Sequence, residues 1–277
     1  MTSFSFSSLK KETALKDERI IGGGESGKIF FGNFAGITVP GIRGSNEDSI
    51  GVLSGEYVDF LVVADGLGGA DYGEKASSVA VSAACRSVKK SFLGSEKIKN
   101  PEDIIKNAFV AARDAVEEEG ALLRSDLNST LVAALRYDDS IIYANTGDSR
   151  AYLLSLGDNG KYSVRHVTED HSLIREMVEA GIVSEDKADD HPMSSVVTHT
   201  MRTDFLVDIA ACHLRNNDII MVMSDGVSGF LSDEKICEFC GLIDQKYTFE
   251  EICEMICAES LMYGSNDNIS VIIRKGT

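Results

Sequence analysis

No apolar run in the 277 residues approaches the roughly 18 needed to cross a bilayer as a helix. The opening stretch "MTSFSFSSLKKETALKDER" lacks the basic-then-apolar order of a secretory signal. A helical membrane protein is excluded, and a cytosolic (cytoplasmic) chain is expected. Positive charge is scarce as well. Lys and Arg total 27 against 44 Asp and Glu, for a formal net charge of −17. No basic stripe interrupts that balance, so nucleic acid is not an expected partner. Internal repeats and an obvious linker are missing too, which points to one undivided core.

What is present is an ordinary globular composition, 43% hydrophobic and 26% charged, enough for a sizeable core. The six cysteines read as reduced thiols in a cytosolic chain. Four of them form C-x-x-C (Cys237, Cys240) and C-x-x-x-C (Cys253, Cys257), a spacing that imitates a zinc site. Both pairs fall on amphipathic helical stretches, beside Ile236, Phe239, Ile252 and Ile256. Small buried apolar side chains are the favoured reading over zinc ligands.

Residues 1–28 are rich in Ser, Lys and Gly and read as a flexible arm, with one domain expected over 29–277. Within the arm, "GGGESGKIF" has phosphate-loop spacing from Gly22 to Gly27 and Lys28. Ile29 stands where that loop needs a hydroxyl, and no apolar strand precedes it. A turn leading into one strand, "KIFFGNFAG", is expected instead. Many short runs rich in β-branched residues and bounded by Gly, Asn, Asp or Ser read as strands, among them "YVDFLVVAD", "STLVAALRY", "DIIMVMSD" and "NISVIIRKG". Long helices are predicted from "YGEKASSVAVSAACRSVKKSF" and "PEDIIKNAFVAARDAVEEEGALL", and a shorter one from "DHSLIREMVEAG". The order is not strict β-α-β alternation. It predicts an α+β fold, antiparallel sheets packed together with helices on their outer faces. "SEDKADDHPMSSVVTHTMRTD" reads as a polar surface insertion.

Acids mark several strand ends. "FLVVADG" ends in Asp65-Gly66, and "IIMVMSDG" in Asp225-Gly226. Asp267 immediately precedes "NISVII", and Asp148 lies between "IIYANTG" and "SRAYLL". A carboxylate flush against a buried strand is costly unless it is paired or bound to a metal. Bases are scarce in these stretches, and hard divalent cations prefer oxygen ligands. Any one Asp-Gly is more often a turn than a ligand, so the reading rests on several meeting in space. In "GIRGSNEDSIGV", Arg43 precedes Glu47 and Asp48. This is either a solvated ion-pair loop or an arginine fork for phosphate with two acids beside it.

These segments, taken in order from "RGSNEDS" through "VVADGLGGADYGEKAS", "NTGDSRAYLL", "TEDHSL" and "VMSDGVSGF" to "GSNDNISVIIR", resemble the metal-dependent type 2C protein Ser/Thr phosphatases, particularly their bacterial branch. The resemblance implies a central β-sandwich of two antiparallel sheets flanked by helices. It implies two Mn²⁺ or Mg²⁺ ions held by Asp65, the Gly66 carbonyl, Asp225 and Asp267, with Glu47 and Asp48 as the acidic pair nearby. By the same resemblance Arg43 is the phosphate-binding arginine, and Asp148 matches an acid associated with a weaker third ion. Asp65 and Arg43 are then the catalytic residues. Substrates would be phosphoserine and phosphothreonine proteins in a kinase-opposed pathway, and the chain a monomer. The alternative is a non-catalytic phosphatase-like binding module. The chain departs from relatives in three places: Leu67 follows the first Asp-Gly, "DLNST" replaces a Gly-rich stretch, and the insertion after "DHP" differs. Asp126 in "DLNST" is out of register and is not assigned. None of the five histidines falls beside a metal motif, and His171 is read as a helix cap.

Overall fold

A computed structural model describes residues 15–67, 72–93, 100–188, 191–243 and 245–276. Its strands are β1 (Leu15–Ile21), β2 (Gly27–Phe31), β3 (Phe34–Val39), β4 (Asp48–Gly55), β5 (Val58–Leu67), β6 (Asn128–Ser129), β7 (Leu131–Tyr137), β8 (Ser140–Thr146), β9 (Arg150–Leu156), β10 (Tyr162–Val167), β11 (Asp208–His213), β12 (Ile219–Met223) and β13 (Ile269–Lys275). The helices are α1 (Gly73–Leu93), α2 (Pro101–Leu123), α3 (Leu173–Glu179), α4 (Asp225–Ser228), α5 (Asp233–Leu242) and α6 (Phe249–Met262), with a 3₁₀ turn at Glu185–Lys187. One sheet runs β1-β4-β5-β7-β8-β11, with β6 paired to the end of β5; the other runs β10-β9-β12-β13-β3-β2. Every strand pairing is antiparallel.

Strand periodicity explains the layers, because successive side chains point to opposite faces. On β5, Phe60, Val62 and Ala64 join the cluster beneath α1 and α2. Leu61 and Val63 face the other way, into the layer between the sheets, where they meet Ile220, Val222 and Ile272. The outer face of the second sheet is covered by α5 and α6, through Ile236, Cys240, Ile252, Cys253 and Ile256. The two long helices form where the sequence predicts them. At α2, Asn100 caps the Glu102 N–H and Pro101 occupies the first turn.

Two expectations fail. The flexible arm does not extend to residue 28. Leu15–Ile21 pairs with β4 as an edge strand, and Gly27–Phe31 pairs with β3. Ile20 and Ile21 supply the apolar side chains that dock β1 to the core, a signal the polar composition around them obscures. Residues 1–14 lie outside the described part. The second failure is "KIFFGNFAG", which is a hairpin rather than one strand and turns at Gly32-Asn33. Lys28, at the end of the imitated phosphate loop, is paired with Glu250 and Glu254 of α6. Among the described residues no helix is long and apolar enough to cross a membrane.

Candidate metal and phosphate site

Strand register brings the acids to one end of the sandwich. Asp48, at the start of β4, lies directly opposite Asp65 near the end of β5. In the second sheet, the start of β9 meets the end of β12 at Arg150↔Met223, and Met223 also meets Val271 of β13. Asp148 and Asp267, in the loops, and Asp225, the first residue of α4, therefore lie at that edge. Parity places two of the acids more closely. Asp65 shares its face with Leu61 and Val63, and Asp48 shares its face with Ile50 and Val52, so both point into the inter-sheet layer.

Hydrogen bonds fix the surrounding loops. The Thr130 hydroxyl accepts from the Asp65 N–H, and the Thr130 N–H donates to the Asp65 carbonyl. Ser224 donates to Asp48 Oδ2 at 2.8 Å. Asn268 joins three segments: its amide donates to the Pro40 and Ser45 carbonyls, and its oxygen accepts from the Glu47 N–H. The glycines after Asp65 and Asp225 have a packing reason. A Cβ on Gly66 would sit 1.9 Å from the Gly73 carbonyl oxygen, and one on Gly226 would sit 1.9 Å from that of Asn268. Main chain passes main chain at both points, which no larger residue allows.

The electrostatics are those of acids packed without bases. Burial is the main cause that pushes Asp48 up to about 7; the Ser270 and Ser224 hydroxyls oppose it, while Asp225 and Asp267 add to it. Burial likewise raises Asp148 to about 8 and Asp225 to about 6, with the Asp225 and Asp267 charges respectively as the next cause. Asp65 is pushed well above the usual carboxylate range by burial, and then by Asp48, Asp225, Asp148 and Asp267. Burial also raises Glu47, against Arg43. Buried carboxylate oxygens on Asp48, Asp148 and Asp225 have no hydrogen-bond partner. Arg43 is the cation that faces Asp267, with Nη2 donating to Asp267 Oδ2 at 2.8 Å and Nε to the Asn266 carbonyl at 2.9 Å.

Orphaned oxygens and mutually repelling carboxylates are what a hard divalent cation relieves. Among the described residues, no group of three or more His, Cys, Asp or Glu side chains is disposed to hold an ion by itself. The acids share one field rather than one closed cage. A small divalent cation fits such a site, because it keeps several waters and takes only one or two carboxylates directly.

Sequence reasoning missed three participants. Asp170 is gripped by Arg150 through Nε and Nη2, at 2.7 and 2.6 Å, and so braces the turn that carries Asp148. Asn268 and Ser224 are not among the residues given a role from the sequence, although their places directly beside Asp267 and Asp225 are a usable signal. His171 is corrected. Ser172 caps α3, whereas His171 Nδ1 accepts from the Gly147 N–H, next to Asp148, and its Nε2 meets Asp208. Asp126 is fully exposed and stands 3.9 Å from Arg202.

With this geometry in view, the family model of protein phosphatase 2C matches residues 44–261. The chain belongs to the protein phosphatase 2C family. It is 28% identical over 242 residues to the serine/threonine phosphatase stp of Listeria monocytogenes, covering 84% of this chain and 90% of that one. The Mycobacterium tuberculosis serine/threonine phosphatase PstP/Ppp superposes with a TM-score of 0.73 at 26% identity, covering 88% and 97% of the two chains. A catalytic domain of PstP in complex with two manganese ions superposes at 0.70 with 24% identity, over 88% and 98% of the chains. The two-sheet sandwich with outer helices is thus the phosphatase 2C fold.

Proposed function

We propose that the chain is a metal-dependent phosphoprotein phosphatase that hydrolyses phosphoserine and phosphothreonine. The observation that carries this is the cluster of five buried or partly buried aspartates, Asp48, Asp65, Asp148, Asp225 and Asp267, at one end of a phosphatase 2C sandwich. Asp65, the Gly66 carbonyl, Asp225 and Asp267 would hold two Mn²⁺ or Mg²⁺ ions, with Glu47 and Asp48 beside them and Asp148 reaching a weaker third. The two manganese ions bound to the PstP catalytic domain support that choice of metal. Divalent cations bound there supply Lewis acidity and lower the pKa of coordinated water toward neutrality.

The chain's own residues do the rest. Arg43 is half-exposed at the mouth of the site, and its planar fork suits phosphoryl oxygens. Thr130 holds the Asp65 main chain through both its N–H and its carbonyl, so the backbone that presents the carboxylate is fixed before charge develops. Leu67 brings no proton to a leaving alcohol, and no cysteine serves as nucleophile. Cys240, Cys253 and Cys257 are buried on α5 and α6, and burial raises their thiols. A monomeric state, a cytoplasmic location and a place opposite a protein kinase complete the reading; the free thiols agree with a reducing compartment.

Hydrolysis of an aryl phosphate and of a phosphothreonine peptide, each with Mn²⁺ and with EDTA, tests this. Turnover that requires Mn²⁺ is expected on both. Metal binding without turnover would favour the non-catalytic module.

A further inference from the structure

Ile42 is 72% exposed, one residue before Arg43. A single exposed aliphatic residue is unremarkable on most surfaces. Here the backbone beneath it is fixed. The Arg43 N–H donates to the Pro40 carbonyl at 3.0 Å, and the Asn268 amide donates to that same carbonyl. Gly41 takes φ +61°, and a Cβ there would stand 2.3 Å from the Asp267 carbonyl oxygen. Arg43 itself is tied to Asn266 and Asp267. The turn is stapled to the loop that carries Asp267, so Ile42 is held outward at the mouth of the site rather than free to fold away.

The segment that leaves α6 and leads to Asn266, to which Arg43 is tied, also exposes apolar surface at Met262 and Tyr263, 80% and 61%. Next to Ile42, Arg43 meets Asp267 and feels Glu47, acids that repel an acidic side chain. Adjacent residues lie about 3.8 Å apart on any trans chain. A peptide whose phosphate meets Arg43 has its neighbouring residues within reach of the turn that exposes Ile42.

We propose that Ile42 is a specificity residue that selects an apolar side chain next to the phosphorylated residue of the substrate. This rests on Arg43 binding the substrate phosphate. Phosphothreonine peptides differing only in Leu, Ser or Asp at the flanking positions test it, against the unaltered protein and Ile42→Ser. An aryl phosphate, which has no flanking residue, gives the reference rate for each protein. The unaltered protein is expected to favour Leu over Ser by about tenfold in kcat/KM, the scale of one apolar contact. In Ile42→Ser that ratio falls toward one, while the Asp peptide stays poor in both proteins. Equal rates on Leu and Ser peptides in the unaltered protein, or an unchanged ratio in the variant, overturn the inference while hydrolysis of the aryl phosphate upholds the phosphatase reading. Failure on every substrate with Mn²⁺ present overturns both.

Discussion

The two ends of β5 carry the same residue in the same orientation with opposite surroundings. Asp59 and Asp65 both face the layer between the sheets, about 20 Å apart at the usual strand rise. At the first end, Arg136 and Arg274 both donate from Nε to Asp59 Oδ2, and Ser54 donates to its other oxygen. Two cations meet one carboxylate there, and Arg274 Nη1 is left without a hydrogen-bond partner. At the second end, Asp65 faces Asp48 across the register and feels Asp225, Asp148 and Asp267, while the hydrogen bond of Arg43 goes to Asp267. A buried acid supplied with bases is a structural clamp. A set of buried acids left without them is a place where a cation belongs.

The largest expected effect separates the two ends by activity. Asp65→Asn should lower Mn²⁺-dependent turnover by on the order of a thousandfold, the scale of a single preorganised electrostatic group. Its circular dichroism and unfolding midpoint in EDTA should be unimpaired, because the change removes one of several repelling charges. Asp59→Ala should do the reverse. It leaves two guanidinium groups buried without their carboxylate and should cost about 3–5 kcal/mol by denaturant unfolding. Turnover per folded molecule should be retained.

Next in size is the pH dependence of stability. Asp48, Asp225 and Asp148 are raised to about 7, 6 and 8, above the carboxylate values near 4 of an unfolded chain. Between those limits the folded chain holds more protons than the unfolded one, so stability falls as pH rises through the window. Melting in EDTA from pH 4 to 8 should show that decline, and Mn²⁺ should flatten it. A profile in EDTA that rises over this range would contradict the account.

Smaller effects sharpen the picture. Arg43→Ala should raise KM for phosphorylated substrates by roughly tenfold or more, as expected for loss of a charge-assisted contact. Calorimetry should find Mn²⁺ affinity changed far less. Lys28→Ala removes surface pairs with Glu250 and Glu254 and should leave turnover and substrate binding unaltered, since exposed pairs contribute little.

Much of this was legible in the sequence because period and composition are local. The long helices, the apolar cysteine pairs and the antiparallel sheets follow from spacing alone. The Asp-Gly strand ends were visible too, but "YVDFLVVAD" offers Asp59 and Asp65 on equal terms. What distinguishes them is partnership across 77 and 215 residues, through Arg136 and Arg274, which no local pattern encodes. The same limit hid Asp170, whose role depends on Arg150, and His171, whose role depends on Gly147. β1 was missed for another reason: a polar edge strand contributes few apolar residues, and Gly- and Ser-rich flanks mask them.

The most direct test is phosphothreonine-peptide hydrolysis by protein stripped with EDTA and then titrated with Mn²⁺, alongside Asp65→Asn. The account predicts negligible turnover in EDTA, saturable recovery with Mn²⁺ and no recovery in the variant. Turnover that persists in EDTA, or a variant that recovers like the unaltered chain, would contradict it.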